Sequence, residues 1–282
     1  MRGLVLLAVL AALALAACGG GGSSTGTATT SAPTTAQTGS NASSLIAAAG
    51  QKTKEAGSAR VSFTLEMTGG EANGTMSGDG VFDQHGGRMT MDLGGLAGGA
   101  LGSGQAEVIF NDLVYYMKLP QAALSQLPTG KTWLKFDLAA LGKQQGLDLE
   151  QLTQLNQSDP SQALQLLSGA EDFQEVGNEE VRGVETTHYR GTVDMAKVAE
   201  NAPTNLQDDI RKIVEQTGDR AVPMDIWIDG DGLVRRLEWT QHLPQGTAMT
   251  MAEELYDFGV DVDAAPPPAN EVLDITALLG NS

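Results

Sequence analysis

The side chains best suited to metal binding or proton transfer, the three histidines, are scattered along the chain. His85 falls in a predicted turn, His188 in a predicted strand and His242 at a strand end. None stands at the spacing that would place two ligands side by side on one element. The sequence therefore predicts no metal site and no catalysis that depends on histidine.

The acidic side chains often occur as sequence neighbours, as in Asp208-Asp209, Glu179-Glu180 and Glu253-Glu254. Neighbours diverge on a helix and point to opposite faces of a strand, whereas acid and base catalysis needs two carboxyl groups that converge. The Asp-Gly-Asp-Gly run at residues 229–232 lacks the further ligands and the closing glutamate of a calcium loop. The sequence also lacks the Gly-x-Ser-x-Gly motif that presents a nucleophilic serine in hydrolases. The sequence thus predicts neither an enzyme nor a cofactor.

The remaining chemistry lies in Cys18, the only cysteine. An uncharged apolar run over residues 4–14, behind a basic Arg2, is too short to span a membrane and is typical of a secretory signal. The Leu-Ala-Ala-Cys ending resembles a bacterial lipobox, whose cysteine thiol receives a diacylglycerol group. We predict that residues 1–17 are a lipoprotein signal peptide. The acylated Cys18 would then anchor the protein to the extracytoplasmic side of the cell membrane.

The segment that follows, residues 18–44, is rich in Gly, Ser and Thr and has no charged side chain. It cannot bury enough apolar surface to offset its chain entropy, which predicts a flexible tether. Residues 45–282 are assigned to one folded domain. The formal net charge of −18 excludes electrostatic binding to nucleic acid or to an anionic membrane. Membrane attachment would therefore depend on the acyl chains.

Residues 221–243, AVPMDIWIDGDGLVRRLEWTQHL, predict a β-hairpin that turns at residues 229–232. Apolar residues alternate on both sides of the turn, which is typical of an antiparallel sheet with one buried face. If Asp229 pairs with Gly232, the apolar face carries the pairs Ile228–Leu233, Met224–Leu237 and Val222–Trp239. The opposite face then carries the pairs Asp225–Arg236 and Trp227–Val234.

The same alternation predicts about ten strands in all. They cover residues 59–68, 74–83, 88–93, 106–110, 113–119, 132–136, 173–181, 184–194, the two arms of the hairpin, and 248–260. Helical spacing predicts an opening helix over residues 45–56 that is capped by Ser43 or Ser44 and stops at Gly57, a helical segment within 138–169, and an amphipathic helix over 206–217. The glycine-rich residues 94–104 lack the lysine of a phosphate loop and are interpreted as a loop or as the mouth of an apolar cavity. The fold class is α+β: a single curved antiparallel sheet with helices covering its apolar face.

Three segments together resemble the actinobacterial LppX/LprG lipoproteins. They are the signal ending at Cys18, the sequence VRGVETTHYRGTVD at 181–194, and VPMDIWID at 222–229 followed by LVRR at 233–236. The resemblance implies a LolA-like fold, a half-open β-barrel whose concave face is covered by helices around a hydrophobic cavity. It also implies a lipid or acylated glycolipid as the ligand, carried between envelope layers, and leaves room for an envelope transporter as a partner.

We predict that the cavity is lined by in-facing apolar residues of the strands and of the helix over 206–217. They are Phe63, Leu65, Met89, Met91, Ile210, Ile213, Met224, Ile226, Leu237 and Met251. The many strand methionines suit an adaptable lining because the thioether repacks around different chains, but they also suit a core without a cavity. The alternative function is therefore a structural or signalling lipoprotein with a filled core that binds a protein partner through its acidic surface.

Overall fold

The part of the chain that the computed structural model describes contains twelve strands and four α-helices. This part comprises residues 39–69, 73–93, 104–120, 124, 128, 130–144, 170–201, 204–218, 220–243 and 246–276. The strands are β1 (Ser58–Thr68), β2 (Gly74–Asp83), β3 (Gly86–Asp92), β4 (Gln105–Asn111), β5 (Val114–Lys118), β6 (Trp133–Asp137), β7 (Ala170–Val181), β8 (Val184–Asp194), β9 (Ala221–Asp229), β10 (Val234–Leu243), β11 (Thr247–Tyr256) and β12 (Val272–Asp274). The helices are α1 (Gly39–Glu55), α2 (Leu138–Gln144), α3 (Met195–Asn201) and α4 (Thr204–Thr217), with a 3₁₀ turn at Ala269–Glu271.

All twelve described strands belong to one sheet, in the order β12-β6-β5-β4-β3-β2-β1-β11-β10-β9-β8-β7. Neighbours are antiparallel except β12, which pairs with β6 in parallel at one edge. The first strand, β1, lies beside the last long strand, β11, near the middle of the sheet. This architecture confirms the predicted single curved antiparallel sheet.

The predicted bounds of β2 and β8 agree with the structure, whereas helix α1 begins at Gly39, six residues before the predicted start. Ala42 is 1% exposed and packs with Ile46, so tertiary packing extends the helix past the predicted cap at Ser43 or Ser44. The helix ends as predicted, because Gly57 has a φ of +81°.

Several predicted segments lie outside the described residues. They are the signal peptide and Cys18, most of the tether, the loop at 94–103 and the helical segment over 145–169.

The turn between β9 and β10 has one more residue than predicted. The Gly232 N–H donates to the Asp229 carbonyl at 2.9 Å, and the Asp229 N–H donates to the Leu233 carbonyl at 3.0 Å. Gly232 has a φ of +76°, which completes a three-residue loop built on a type I turn. Asp229 therefore pairs with Leu233 instead of Gly232.

This extra residue, together with a bulge between Val234 and Arg236, overturns the predicted register of the hairpin. The slip by one residue moves Val234 opposite Ile228, so Val234 lies on the apolar face and not on the opposite face where it was predicted. The bulge adds a second residue to the slip, so Leu237 returns to its predicted face but pairs with Ile226. The predicted pairs that are wrong are Ile228–Leu233, Met224–Leu237, Val222–Trp239, Asp225–Arg236 and Trp227–Val234, and the observed pairs are Ile228–Val234, Trp227–Arg236, Ile226–Leu237, Asp225–Glu238 and Met224–Trp239.

The outward face of the same strands carries a polar network around His188, which is 3% exposed. Its Nδ1 lies 3.0 Å from Glu179 Oε1, its Nε2 lies 2.5 Å from Asp225 Oδ1, and its ring stacks on Trp227 with centroids 4.2 Å apart. The Trp227 indole N–H donates to Glu179 Oε2 at 2.9 Å. This network holds β7, β8 and β9 together on the face opposite Ile226 and Ile228.

We expect Glu179→Gln to lower the melting temperature at neutral pH and to reduce the loss of stability in acid. Hydrogen bonds from Trp227 and then from His188 lower the pKa of Glu179 below its usual value. A lowered pKa stabilises the fold above the unfolded pKa, and this contribution is lost as the pH falls from about 5 to about 3. Thermal melts across that range test it, with the exposed neighbour Glu180→Gln as the control. Equal acid slopes in the wild type and the Glu179 variant would contradict the expectation.

Candidate functional site

One row of paired residues crosses the sheet on the face that the helices cover. Directly opposite residues of antiparallel neighbours share a face, so the strand register alone defines this row. From β3 to β8 it reads Met91, Gly78, Phe63, Glu253, Leu237, Ile226 and Tyr189. Four predicted cavity residues, Met91, Phe63, Leu237 and Ile226, therefore lie on one face.

The first apolar cluster on this face involves β1 to β6, β11 and α2. It contains five of the predicted cavity residues, each 4% exposed or less: Phe63, Leu65, Met89, Met91 and Met251. A Cβ on Gly78 would lie 2.7 Å from the Phe63 ring, so only glycine lets that ring lie across β2. Leu138 and Leu141 of α2 pack into the same cluster. This half of the sheet is a packed protein core.

The second cluster lies on the same face, between α1 and strands β7 to β10. Its buried residues are Ala42, Ile46, Ala49, Phe173, Tyr189, Ile226, Ile228 and Val234. Small alanine side chains let α1 approach the strands closely, and the Val234 N–H donates to Thr53 Oγ1 at 2.8 Å near the end of the helix. Met224 and Leu237 pack at the border of this cluster and are half-buried.

Ile210 of α4 belongs to neither of these clusters. It is buried with Val198 and Ala199 of α3 in a small cluster of its own. The side chain of Ile213 lies outside the described part of the structure. The sequence predicts that Ile210 and Ile213 lie opposite the strand residues, whereas in the structure Ile210 packs against helix α3. The role of all ten residues in ligand binding stays a prediction.

The two larger clusters meet at a strip that we call the seam, defined by Met224, Leu237, Trp239 and Glu253. Leu237 packs against the second cluster, and Trp239, two residues further along β10, packs against the first. Met224, Leu237 and Trp239 are half-buried, so protein atoms cover the seam less completely than the clusters on either side. The seam is thus an apolar strip with surface left to bury.

Glu253 is a residue that sequence reasoning missed. It is 2% exposed, and its direct neighbours across the strands are Phe63 and Leu237. Burial raises the pKa of its carboxyl group to about 7. The signal was present in the sequence, because the alternation Met249, Met251, Glu253, Leu255 points Glu253 inward. Glu254 points outward and pairs with Arg182 at 2.7 Å, as expected for sequence neighbours on a strand.

An open groove of about 350 Å³ lies between α1 and the β9–β10 turn. Its walls include Leu45 and Lys52 of α1, Tyr189 of β8 and the turn residues 229–232. None of the nine predicted cavity residues with described side chains lines it, so this groove is distinct from the cavity that those residues would form.

The His, Cys, Asp and Glu side chains of the described residues form no group of three that could hold a metal ion. Among the described helices, none has the length and hydropathy needed to cross a membrane.

Sequence comparison assigns the chain to a family. The profile of the LppX_LprAFG lipoprotein family matches residues 158–264. An uncharacterized protein of Streptomyces griseus is 30% identical over 241 residues, which cover 81% of this chain and 77% of the relative. A putative lipoprotein of Streptomyces coelicolor is 31% identical over 240 residues, or 81% of this chain and 73% of the relative. The chain belongs to the LppX_LprAFG lipoprotein family.

Solved structures similar to this family member include LprF from Mycobacterium bovis and LppX from Mycobacterium tuberculosis. LprF is 13% identical with a TM-score of 0.46, and the match covers 81% of this chain and 97% of LprF. LppX is 15% identical with a TM-score of 0.45, and the match covers 78% of this chain and 99% of LppX. The family assignment itself rests on the sequence matches.

Family membership confirms the resemblance inferred from the sequence. This family is one of lipoproteins rather than of enzymes, and membership places the chain in the membrane-associated envelope. The family also associates it with lipid binding or transport, without naming a cargo.

Proposed function

We propose that this lipoprotein binds lipids or acylated glycolipids along the seam and carries them between envelope layers. The observation that supports this proposal best is the half-buried apolar strip of Met224, Leu237 and Trp239 between two packed clusters. Each CH₂ group that leaves water contributes about 0.8 kcal/mol, so an acyl chain laid on the strip gains affinity without any covalent chemistry. A transporter of the envelope would be a partner for this traffic.

The seam is a better candidate site than the first cluster. Seven strand methionines are buried in that cluster, and they contact other core residues: Met67, Met76, Met89, Met91, Met117, Met249 and Met251. Among the methionines of the predicted lining, Met224 alone is half-buried and lies at the seam. A ligand at the seam therefore does not require this packed core to open.

We further propose that acylated Cys18 holds the protein at the membrane after removal of residues 1–17. The lipobox-like ending at Cys18 and membership of a lipoprotein family support this attachment. Mass spectrometry of the protein from an actinobacterial membrane, compared with Cys18→Ser, tests it. A mass increase of a diacylglycerol group that vanishes in the variant is expected.

We expect Met224→Arg to reduce lipid occupancy at least about tenfold, because a guanidinium group at an apolar strip must lose solvation before an acyl chain can bind. The test uses residues 18–282 with Cys18→Ser, purified from an actinobacterial host, so that no anchor adds lipid to the analysis. Native mass spectrometry gives the occupancy, and organic extraction identifies the lipid.

The matched control is Ala221→Arg, which adds the same charge at an exposed, outward position of β9. Lipid should co-purify with the wild type and with this control. A folded Met224→Arg variant that retains wild-type occupancy would rule out the seam. Absence of lipid from the wild type, even after incubation with envelope lipids, would favour the filled-core alternative.

A further inference from the structure

We propose that Glu253 is a polar recognition site within the seam, where it accepts a hydrogen bond from a hydroxyl or ammonium group of the bound amphiphile. This inference rests on the proposed function and adds the ligand chemistry. Three properties of the Glu253 carboxyl group support it: its position, its burial and its lack of a hydrogen-bond partner among the described residues.

Glu253 lies near the centre of the row, and its neighbours on that face are all apolar. On its own face it is flanked by Phe63 of β1 and Leu237 of β10, and by Met251 and Leu255 along β11. It occupies the point of the row where the first cluster gives way to the second. A carboxyl group here interrupts an otherwise continuous apolar surface.

The nearby charges are already paired on the other face of the sheet. Arg236 contacts both Glu238 and Glu254, and Arg182 contacts Glu254. Arg235, in the β10 bulge, donates to Asp229 at 2.6 Å. No hydrogen bond or ion pair formed by the described residues includes Glu253. These three arginines therefore form ion pairs with carboxylates other than Glu253.

A buried carboxyl group without a partner is costly, and nearly all buried polar groups in native proteins have one. Apolar replacement would remove that cost, so a glutamate at this position needs a compensating contact. A ligand in the seam can supply it, because Leu237 and Trp239 beside Glu253 are only half-buried. The contact must come from a hydrogen-bond donor, since an ionised carboxylate only accepts.

The ligand class follows from this geometry. It is an amphiphile whose acyl chain lies along the apolar strip and whose hydroxyl or ammonium group reaches into the seam. A donor-free ester of the same chain length offers acceptors only. It would leave the carboxylate unpaired, so donor-bearing lipids should bind more tightly.

Three probes with a common chain length test this inference: 1-dodecanol, dodecylamine and methyl dodecanoate. Their affinities for residues 18–282 with Cys18→Ser are measured at pH 8 by displacement of Nile red. We expect at least one donor probe to bind the wild type about tenfold or more tightly than the ester. Preference for dodecanol identifies a hydroxyl donor, and preference for dodecylamine identifies an ammonium donor.

The variants assign the preference to Glu253. Glu253→Leu should abolish it while the ester still binds, and Glu253→Gln should keep a preference for dodecanol but lose one for dodecylamine. Glu66→Leu, which removes an exposed outward glutamate of β1, should behave as the wild type. Ester binding without any donor preference, or a preference that survives in Glu253→Leu, would overturn this inference and leave the proposed function intact. Failure of all three probes to bind the wild type would overturn both.

Discussion

Asp229→Ala is expected to lower the free energy of unfolding by about 3–5 kcal/mol, because it breaks a buried ion pair and the turn that depends on it. The Asp229 side chain is 2% exposed, and its Oδ2 accepts from Arg235 Nε at 2.6 Å. Its Oδ1 accepts from the N–H groups of Asp231 and Leu233, both at 2.9 Å. The substitution leaves Arg235, itself 17% exposed, as a nearly buried cation without its partner.

Chemical denaturation at pH 7 measures this loss, and Asp231→Ala is the matched control. Asp231 occupies the same turn but is exposed, so its replacement should change the free energy of unfolding by less than about 0.5 kcal/mol. A loss below about 1 kcal/mol for Asp229→Ala, or equal losses for the two variants, would show that the turn does not depend on the ion pair.

The effect reaches the proposed site because this turn sets the register of β9 and β10. The same hairpin places Met224, Leu237 and Trp239 on the seam, and Val234 joins it to α1 through Thr53. Asp229→Ala should therefore weaken lipid occupancy as well as stability. A side chain that lies outside the seam therefore contributes to its geometry.

The strands were predictable from sequence because each strand buries one side. Apolar and polar residues therefore alternate along it, and turn residues mark its ends. The hairpin register was not predictable, because it depends on whether Asp229 pairs with Gly232 or with Leu233. Both loops satisfy the glycine requirement of the turn, and the side-chain hydrogen bonds of Asp229 select the longer one. The bulge between Val234 and Arg236 was not predicted either.

The site was predictable only as a face. Alternation correctly placed Phe63, Leu237 and Ile226 on one side of the sheet, since period-two patterns survive a slip of two residues. Which of the inward residues are fully packed, and which border a strip with surface left to bury, depends on where α1 and α2 lie. The alternation places Glu253 inward, whereas a charged side chain is typical of the outward face, so the two signals conflict at this position.

Glu253 should also make the ligand-free protein lose about 3 kcal/mol of stability between pH 4.5 and pH 7. Burial raises its pKa from 4.5 to about 7. Below pH 4.5 the group is protonated in both states and has no effect. Between the two values the unfolded chain ionises while the folded chain keeps the proton, so each pH unit costs about 1.4 kcal/mol. Above about pH 7 both states are ionised, and the loss levels off.

The other carboxyl groups with shifted pKa values affect the stability of the fold over a different pH range. Contacts with Lys135 and Thr276 lower the pKa of Asp274 to about 2 despite the opposing effect of burial, and the pKa of Glu179 is also lowered. Their contributions are lost only as the pH falls below about 4.5, on the acid side of the Glu253 effect. The neutral range is therefore diagnostic for Glu253.

Denaturation of delipidated protein from pH 4 to pH 8 tests this prediction with Glu253→Gln, which resembles the protonated side chain in shape and charge. The variant should match the wild type near pH 4 and exceed it by about 3 kcal/mol at pH 8, whereas Glu66→Gln should follow the wild type throughout. Parallel curves for Glu253→Gln and the wild type would show that the carboxyl group is solvated or paired. If a ligand donor satisfies the carboxylate, saturating donor probe should narrow the gap at pH 8, because the probe stabilises the wild type more than the variant.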